Sequence, residues 1–356
     1  MLRVLVCFSF ICFALGSKGQ GTTEFADSIR RAFHMPELSF AVVSSGSVIE
    51  MQALGVRKIN TNLAATFNDR FRIGSNTKAI TGYIAAMLVK EGKISWDTRF
   101  FDLYPELKTC SRKEYYGLTL LDLLSFRNRL PKYTYTNSKP VKGQFGTDPD
   151  SQQYFFTKWI LHQAPQPRSN TLSYSNPGYV SAALMLGKVS GKSYKQLVAD
   201  FGKETSIDFG FGRPSQTDSL QTWGHNATLK PEQPGDDYKL DWLQAAGNIN
   251  VTLSGYIKFI QLQLKGLNGQ PCLLSKDETT FLHYGLPSFA VGWFWEKDEQ
   301  NRVFSNNIGN PGTFLSRVYV YGGSDKAFIL FTNVQSDAAE HGLDLVYEAL
   351  KQKYLK

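Results

Sequence analysis

Ser75 and Lys78 stand three residues apart in Phe71-Arg-Ile-Gly-Ser-Asn-Thr-Lys-Ala-Ile80, at the entrance to a segment with helical spacing. Positions i and i+3 of a helix share a face, so the amine reaches the hydroxyl. A helix start carries partial positive charge, and a closed cleft strips water from an ammonium group; both effects lower the amine pKa. A neutral amine beside a hydroxyl is a base for a serine nucleophile, and the chemistry is attack on an ester or amide carbonyl through an acyl-enzyme. The pair alone carries little weight. A chain with this Ser and Lys content holds about two such pairs by chance, and a capping serine followed by a solvated lysine has the same spelling.

Tyr174-Ser175-Asn176 adds to it, just before Pro177-Gly-Tyr179 and an apolar stretch from Val180 to Leu186. A tyrosine near an ammonium group loses its proton below its usual pH and relays protons. An asparagine amide accepts from a lysine and donates to a substrate carbonyl. Tyr135-Thr136-Asn137 repeats the Tyr-x-Asn spelling in a loop-like stretch. Tyr174 is preferred because a helix follows it. Other chemistries fit worse. His34, His162, His225, His283 and His341 are scattered without paired ligand spacing, so no metal site is expected. Gly210-Phe-Gly212 opens no helix, and no Gly-x-Ser-x-Gly elbow occurs. No cofactor is expected.

The chain has 356 residues, 42% hydrophobic and 20% charged. That composition excludes a disordered chain, a collagen and a coiled coil, and the length suffices for a core without metals or disulfides. The net charge is +8 with no basic run, so no nucleic-acid partner is expected. Arg3, the apolar run Val4 to Leu15 and the small residues Ala14 and Gly16 read as a secretory signal over residues 1–16. The run is shorter than the roughly 20 residues a membrane span needs. Residues 17–356 are then expected to form one exported domain with no span. Cys110 and Cys272 remain after the signal is cut, either paired or as two thiols. The sequons at Asn226 and Asn250 are glycan acceptors if the source is eukaryotic.

The elements that must position Ser75, Lys78 and Tyr174 are legible in part. Phe25 to Phe33 has helical spacing. Leu38 to Val43 and Val48 to Val56 read as a hairpin, and Ala79 to Glu91 as a helix stopped by Gly92. Ala290 to Trp295, Leu315 to Tyr321 and Ala327 to Thr332 are rich in strand-forming residues, and Asp337 to Tyr354 is amphipathic. The expected fold is α/β (α+β): one sheet built from both termini, about 22–75 and 285–356, with a helical part over about 95–280. A cleft between the two is a natural ligand site.

The stretches FRIGSNTKAITGYIAAMLVKEGKISWDTRFFDLYPEL and LSYSNPGYVSAALMLGKVSGKSY resemble the serine β-lactamase and penicillin-binding superfamily, in its class C β-lactamase, D-Ala-D-Ala carboxypeptidase and esterase branch. The resemblance covers about Phe40 to Leu345. It implies an antiparallel sheet flanked by helices with an all-helical part. It implies Ser75 as nucleophile, Lys78 and Tyr174 sharing the base role, and Asn176 positioning the substrate. The family's third motif, on a late strand, is Lys-Thr-Gly or His-x-Gly. Its cation meets a substrate carboxylate, and the N–H after its glycine completes the oxyanion hole.

The chain departs from that motif in Ser305-Asn-Asn-Ile-Gly-Asn-Pro-Gly312. Aligning Pro311-Gly312 makes the motif Asn306-Asn307-Ile308, with Gly309 as donor; this register is preferred. The other makes it Asn307-Ile308-Gly309, with Asn310 as donor. Either way an asparagine replaces the cation. In Leu124-Ser-Phe-Arg-Asn-Arg-Leu-Pro131, Arg129 stands where the family commonly has glycine, so a left-handed backbone there means strain or a rebuilt loop. The expected function is a secreted serine hydrolase acting on an ester, amide or peptide-like small-molecule or peptide substrate. Loss of the cation disfavours carboxylate-bearing substrates. The alternative is a β-lactamase-like binding protein that has lost turnover. Oligomeric state is not legible.

Overall fold

β1 (Glu37–Val43) and β2 (Val48–Gly55) form the expected hairpin, with Glu37 opposite Gly55 and Val43 opposite Val48. The computed structural model describes residues 21–167, 172–235 and 238–355, so the expected signal at 1–16 lies outside the described residues. Seven further strands follow: β3 (Arg70–Arg72), β4 (Gly210–Phe211), β5 (Ile249–Thr252), β6 (Phe294–Lys297), β7 (Val303–Gly309), β8 (Leu315–Tyr321) and β9 (Lys326–Thr332). Six of the nine make one antiparallel sheet in the order β2-β1-β9-β8-β7-β6. Both ends of the chain contribute to it, as the sequence suggests.

The principal helices are α1 (Thr22–Ala32), α2 (Thr77–Lys90), α3 (Pro149–Leu161), α4 (Asn176–Ser190), α5 (Tyr194–Thr205), α6 (Leu253–Leu267), α7 (Lys276–Tyr284) and α8 (Asp337–Tyr354). All seven residues of β1 are buried because both faces of the sheet are covered. Leu38, Phe40 and Val42 join a cluster with Ile29 of α1 and Leu343, Val346 and Leu350 of α8. Ala41 and Val43 point the other way, into the larger core with Ile80, Ile84, Tyr256 and Ile260. The period of two along the strand thus separates two hydrophobic layers.

Two helices matter for the site. α2 has no charged residue between Lys78 and Lys90, and it is buried nearly all round. Such a helix runs through the core rather than along a surface. α4 starts sharply: the Ser175 side chain accepts from the Gly178 N–H, Pro177 sits in the first turn, and Gly191 ends the helix in the left-handed region.

Several expectations are corrected. The strand expected over Ala290–Trp295 starts only at Phe294. Gly292 instead takes a φ of +87° against α2, where a Cβ would lie 2.6 Å from the Ala79 Cα. β7 escapes the pattern reading because Ser305, Asn306 and Asn307 interrupt its apolar alternation. The middle is not purely helical, since β3, β5 and β4 form a small second sheet, and α6 packs on β1 and β9. Of the two states left open for the cysteines, Cys110 and Cys272 are free thiols, hydrogen-bonded to the Leu107 and Leu274 carbonyls respectively. Among the described residues, no helix is long and apolar enough to cross a membrane.

Candidate active site

Ser75 sits in a 3-10 turn, Gly74–Asn76, between β3 and α2. The turn is tied to both sheets. The Ile73 N–H donates to the Ile249 carbonyl of β5 at 3.0 Å, and Asn76 Nδ2 donates to Ser316 Oγ of β8 at 2.8 Å. Ser316 Oγ in turn donates to the Ile73 carbonyl at 2.8 Å. Gly74 has a φ of +49°, and a Cβ there would lie 2.6 Å from the Asn310 nitrogen. Only glycine permits that approach.

Lys78, in the first turn of α2, is 1% exposed. Its Nζ lies 3.0 Å from Ser75 Oγ, 2.7 Å from the Tyr174 hydroxyl, 2.7 Å from Asn176 Oδ1 and 2.7 Å from the Ala246 carbonyl. The Ser75 and Tyr174 hydroxyls are hydrogen-bonded to each other. Burial pushes the Lys78 amine well below the usual lysine range. A neutral amine has two N–H groups and one lone pair. Asn176 Oδ1 and the Ala246 carbonyl can only accept, so they take the two N–H groups, and the lone pair is left facing the two hydroxyls. Serine proton, tyrosine oxygen, tyrosine proton and lysine lone pair then form a continuous chain.

Tyr174 corrects one expectation. Its hydroxyl is not acidified. Burial pushes it up to about 12, with the Ser75 hydrogen bond acting the other way. Burial lowers the Lys78 amine and raises the Tyr174 hydroxyl, and both shifts favour a proton on tyrosine beside an amine able to accept one. The Tyr174 ring packs against Phe126, with centroids 4.6 Å apart. Asn176 Nδ2 donates to the Tyr133 carbonyl at 2.6 Å, which turns Oδ1 toward Lys78 and leaves one amide N–H for another acceptor.

The third motif adopts the register that was not preferred. Along β7, Ser305, Asn307 and Gly309 face the helical core, while Phe304, Asn306 and Ile308 face the other way. Asn306 Nδ2 donates to Glu296 Oε1 at 3.2 Å, away from Ser75. Asn307 Nδ2 donates to the Gly292 carbonyl at 2.6 Å. A Cβ on Gly309 would lie 1.9 Å from the Ile73 carbonyl oxygen, so Gly309 is the close-approach glycine rather than the residue after it. The backbone nitrogen that reaches the nucleophile turn is that of Asn310. Neither the Ser75 nor the Asn310 N–H has a hydrogen-bond partner among the described residues, as two oxyanion donors require.

A cavity of about 470 Å³ opens onto Ser75, Tyr174 and Asn176. Its walls include Tyr135, Leu240, Leu243, Phe294, Ile308 and Asn310, and among the described residues no charged side chain lines it. Ile308 is 47% exposed at the rim and leaves the cavity open. Tyr135, from the rival Tyr-x-Asn, is a wall of the same cavity, and its hydroxyl donates to Asn310 Oδ1 rather than to Lys78. Ala246 was not visible in the sequence, because a backbone carbonyl carries no residue signature.

Arg129 has a φ of +57°, so of the cases the sequence left open for this loop the backbone is left-handed. Its Nε donates to the Gln166 carbonyl at 2.9 Å, and the Gln166 N–H returns a bond to the Arg129 carbonyl at 2.8 Å. Asn226 is exposed. Asn250 is 4% exposed, accepts from Arg70 Nε at 2.7 Å and donates to the Gly212 carbonyl at 2.9 Å, so it is corrected as a glycan acceptor. Among the described residues no group of three or more His, Cys, Asp or Glu side chains is placed to hold a metal ion.

A buried amine bonded to serine and tyrosine hydroxyls, beside an open cavity and two backbone N–H groups unpartnered among the described residues, defines a serine hydrolase-like protein. The chain belongs to the Beta-lactamase family, whose sequence profile matches residues 25–353. It is 25% identical over 296 residues to Protein flp of Staphylococcus aureus strain MW2, covering 79% of this chain and 57% of that protein. The chain thus spans little more than half the length of that relative. It is 23% identical over 354 residues to the Unguisins hydrolase ungD' of Aspergillus campestris, covering 93% of this chain and 65% of that one. A class C beta lactamase structure from Rhodobacter sphaeroides superposes with a TM-score of 0.72 at 18% identity, covering 92% of this chain and 99% of that one. At that identity the likeness is one of fold.

Proposed function

We propose that this chain is an exported serine hydrolase that cleaves an uncharged ester, amide or peptide-like bond through an acyl-enzyme on Ser75. The observation that carries the reading is the four-way contact of Lys78 Nζ with Ser75 Oγ, Tyr174 hydroxyl, Asn176 Oδ1 and the Ala246 carbonyl. Ser75 Oγ attacks the carbonyl carbon. Its proton passes to the Tyr174 oxygen as the Tyr174 proton passes to Lys78 Nζ. The ammonium so formed is held by Asn176 and Ala246. The oxyanion meets the N–H groups of Ser75 and Asn310. The bond to the leaving group breaks, and the proton returns through Tyr174 to the departing alkoxide or amine. Water then repeats the cycle and frees the acid.

The uncharged substrate is supported by the cavity walls, which carry no cation among the described residues, and by Asn307, whose amide is engaged with Gly292. A carboxylate brought there would lose water without gaining a cation from the described wall residues. Export is proposed from the pattern of residues 1–16.

The test is intact mass after incubation with a fluorophosphonate and, separately, a β-lactam, alongside turnover of p-nitrophenyl butyrate. The expected result is an adduct and turnover that are both absent from Ser75→Ala. A folded protein that neither labels nor turns over would instead be a binding protein that kept the cleft.

A further inference from the structure

One short segment touches both polar arms of the cavity. The Tyr133 carbonyl accepts from Asn176 Nδ2, as described, and two residues on, the Tyr135 hydroxyl donates to Asn310 Oδ1 at 3.2 Å. The same Oδ1 accepts from the Gly312 N–H at 2.9 Å. Two donors therefore converge on one oxygen, and the Asn310 side chain cannot rotate without losing both.

The Tyr135 ring lies over Gly312, where φ is +100° and a Cβ would come within 3.2 Å of the ring edge. The backbone of the segment is fastened in turn, because Lys239 Nζ donates to the Tyr135 carbonyl at 3.1 Å and also to the Asn137 carbonyl. Burial pushes the Tyr135 hydroxyl above its usual range, so it stays protonated and remains a donor at neutral pH. The bond spans 175 residues of chain, from a loop on the helical side to the end of β7.

We propose that Tyr135 is a positioning residue for the oxyanion hole: its hydroxyl clamps the Asn310 side chain, and the clamp holds the Asn310 N–H beside Gly74, aimed at the carbonyl oxygen that Ser75 attacks. The proposal rests on the reading of Ser75 as nucleophile. It assigns Tyr135 no contact with the reacting atoms. Its effect is on the transition state, because an oxyanion donor contributes more to the tetrahedral species than to the bound ester.

Tyr135→Phe keeps the ring, and so the cavity wall, and removes only the hydroxyl. The expected result is a fall of about 10-fold in kcat for p-nitrophenyl butyrate with KM within twofold, smaller than the roughly 100- to 1000-fold that outright loss of an oxyanion donor costs. Inhibition by phenylboronic acid, which forms a tetrahedral anion on Ser75 Oγ, should weaken by the same factor as kcat/KM. A merely structural role would not produce that match. Asn310→Ala removes the acceptor, and Tyr135→Phe added to it should cost less than twofold more, since both act through one bond. An active wild type whose Tyr135→Phe variant is unchanged in kcat and boronate inhibition overturns the proposal and leaves the hydrolase reading standing. So do fully additive effects of the two substitutions. A folded wild type that neither turns over nor takes the boronate removes the hydrolase reading and this proposal with it.

Discussion

Lys78 Nζ and Asn176 Oδ1 lie 2.7 Å apart inside the protein, and that contact decides where the lysine protons point. Because the Asn176 amide nitrogen is committed to the Tyr133 carbonyl, its oxygen must face the amine. The amine then has its acceptor side turned toward Ser75 and Tyr174. Burial shifts both groups toward a resting state with the proton on tyrosine and no charge on the lysine.

Lys78→Met tests this directly. The thioether fills similar space and cannot take a proton. Turnover of p-nitrophenyl butyrate should fall at least 100-fold, within the range general acid–base groups contribute. Retention of the wild-type circular dichroism spectrum would show that the loss is chemical.

The same lysine links stability to pH. Burial lowers its pKa in the fold, whereas the unfolded chain keeps an ordinary value near about 10.4. Between the two values the unfolded state binds more protons, so stability rises with pH across that window and the gain ends near the unfolded value. Urea midpoints should therefore increase from pH 7 to pH 9.5 in the wild type, and by less in Lys78→Met. An equal increase in both would rule out a neutral buried Lys78.

Gly309→Ala should be among the most damaging small changes in the sheet. The added carbon meets a backbone carbonyl at 1.9 Å, which has no flexible end to move aside. Overpacking of this kind costs about 1–3 kcal/mol, and here it also pushes β7 away from the Ser75 turn. Both the melting temperature and the fluorophosphonate labelling rate should drop. Ile308→Ala, one residue away at the exposed rim, should leave stability within about 0.5 kcal/mol.

Charge at the cavity should govern substrate choice. The wild type is expected to hydrolyse p-nitrophenyl butyrate at least about 10-fold better than the p-nitrophenyl half-ester of glutaric acid, because the carboxylate finds no cation among the described wall residues. Ile308→Lys places a cation at the rim and should narrow that ratio in low salt and less so in high salt. Comparison of kcat/KM for the two esters at two ionic strengths decides it.

Expression in a eukaryotic secretory host should add one glycan among the described sequons. Asn226→Gln should remove that mass and Asn250→Gln should not, because Asn250 is 4% exposed with its amide bonded to Arg70 and Gly212.

The residues of Ser75, Lys78, Tyr174 and Asn176 were legible from local spelling, because a fixed i, i+3 offset and a helix start are local facts. The hairpin, α2, the last two strands and the terminal helix were legible for the same reason: their periodicity is written in consecutive side chains. β7 was not, since its buried Ser305, Asn306 and Asn307 are satisfied by His283, Glu296 and Gly292, partners on other elements. The register of the third motif was misread on the strength of Pro311-Gly312. Strand alternation and the 1.9 Å approach of Gly309 to Ile73 settle it, and both exist only once β7 lies beside the Ser75 turn.

By itself the sequence determined which hydroxyl, amine and amide groups the candidate site holds and which elements carry them. Their protonation was decided by the tertiary structure. Burial, a property of the whole packed core, removes water from Lys78 and Tyr174, which lowers the amine's pKa and raises the phenol's. The same packing brings the Ala246 carbonyl, the Asn310 N–H and the Tyr135 hydroxyl to the site from segments far apart in the chain.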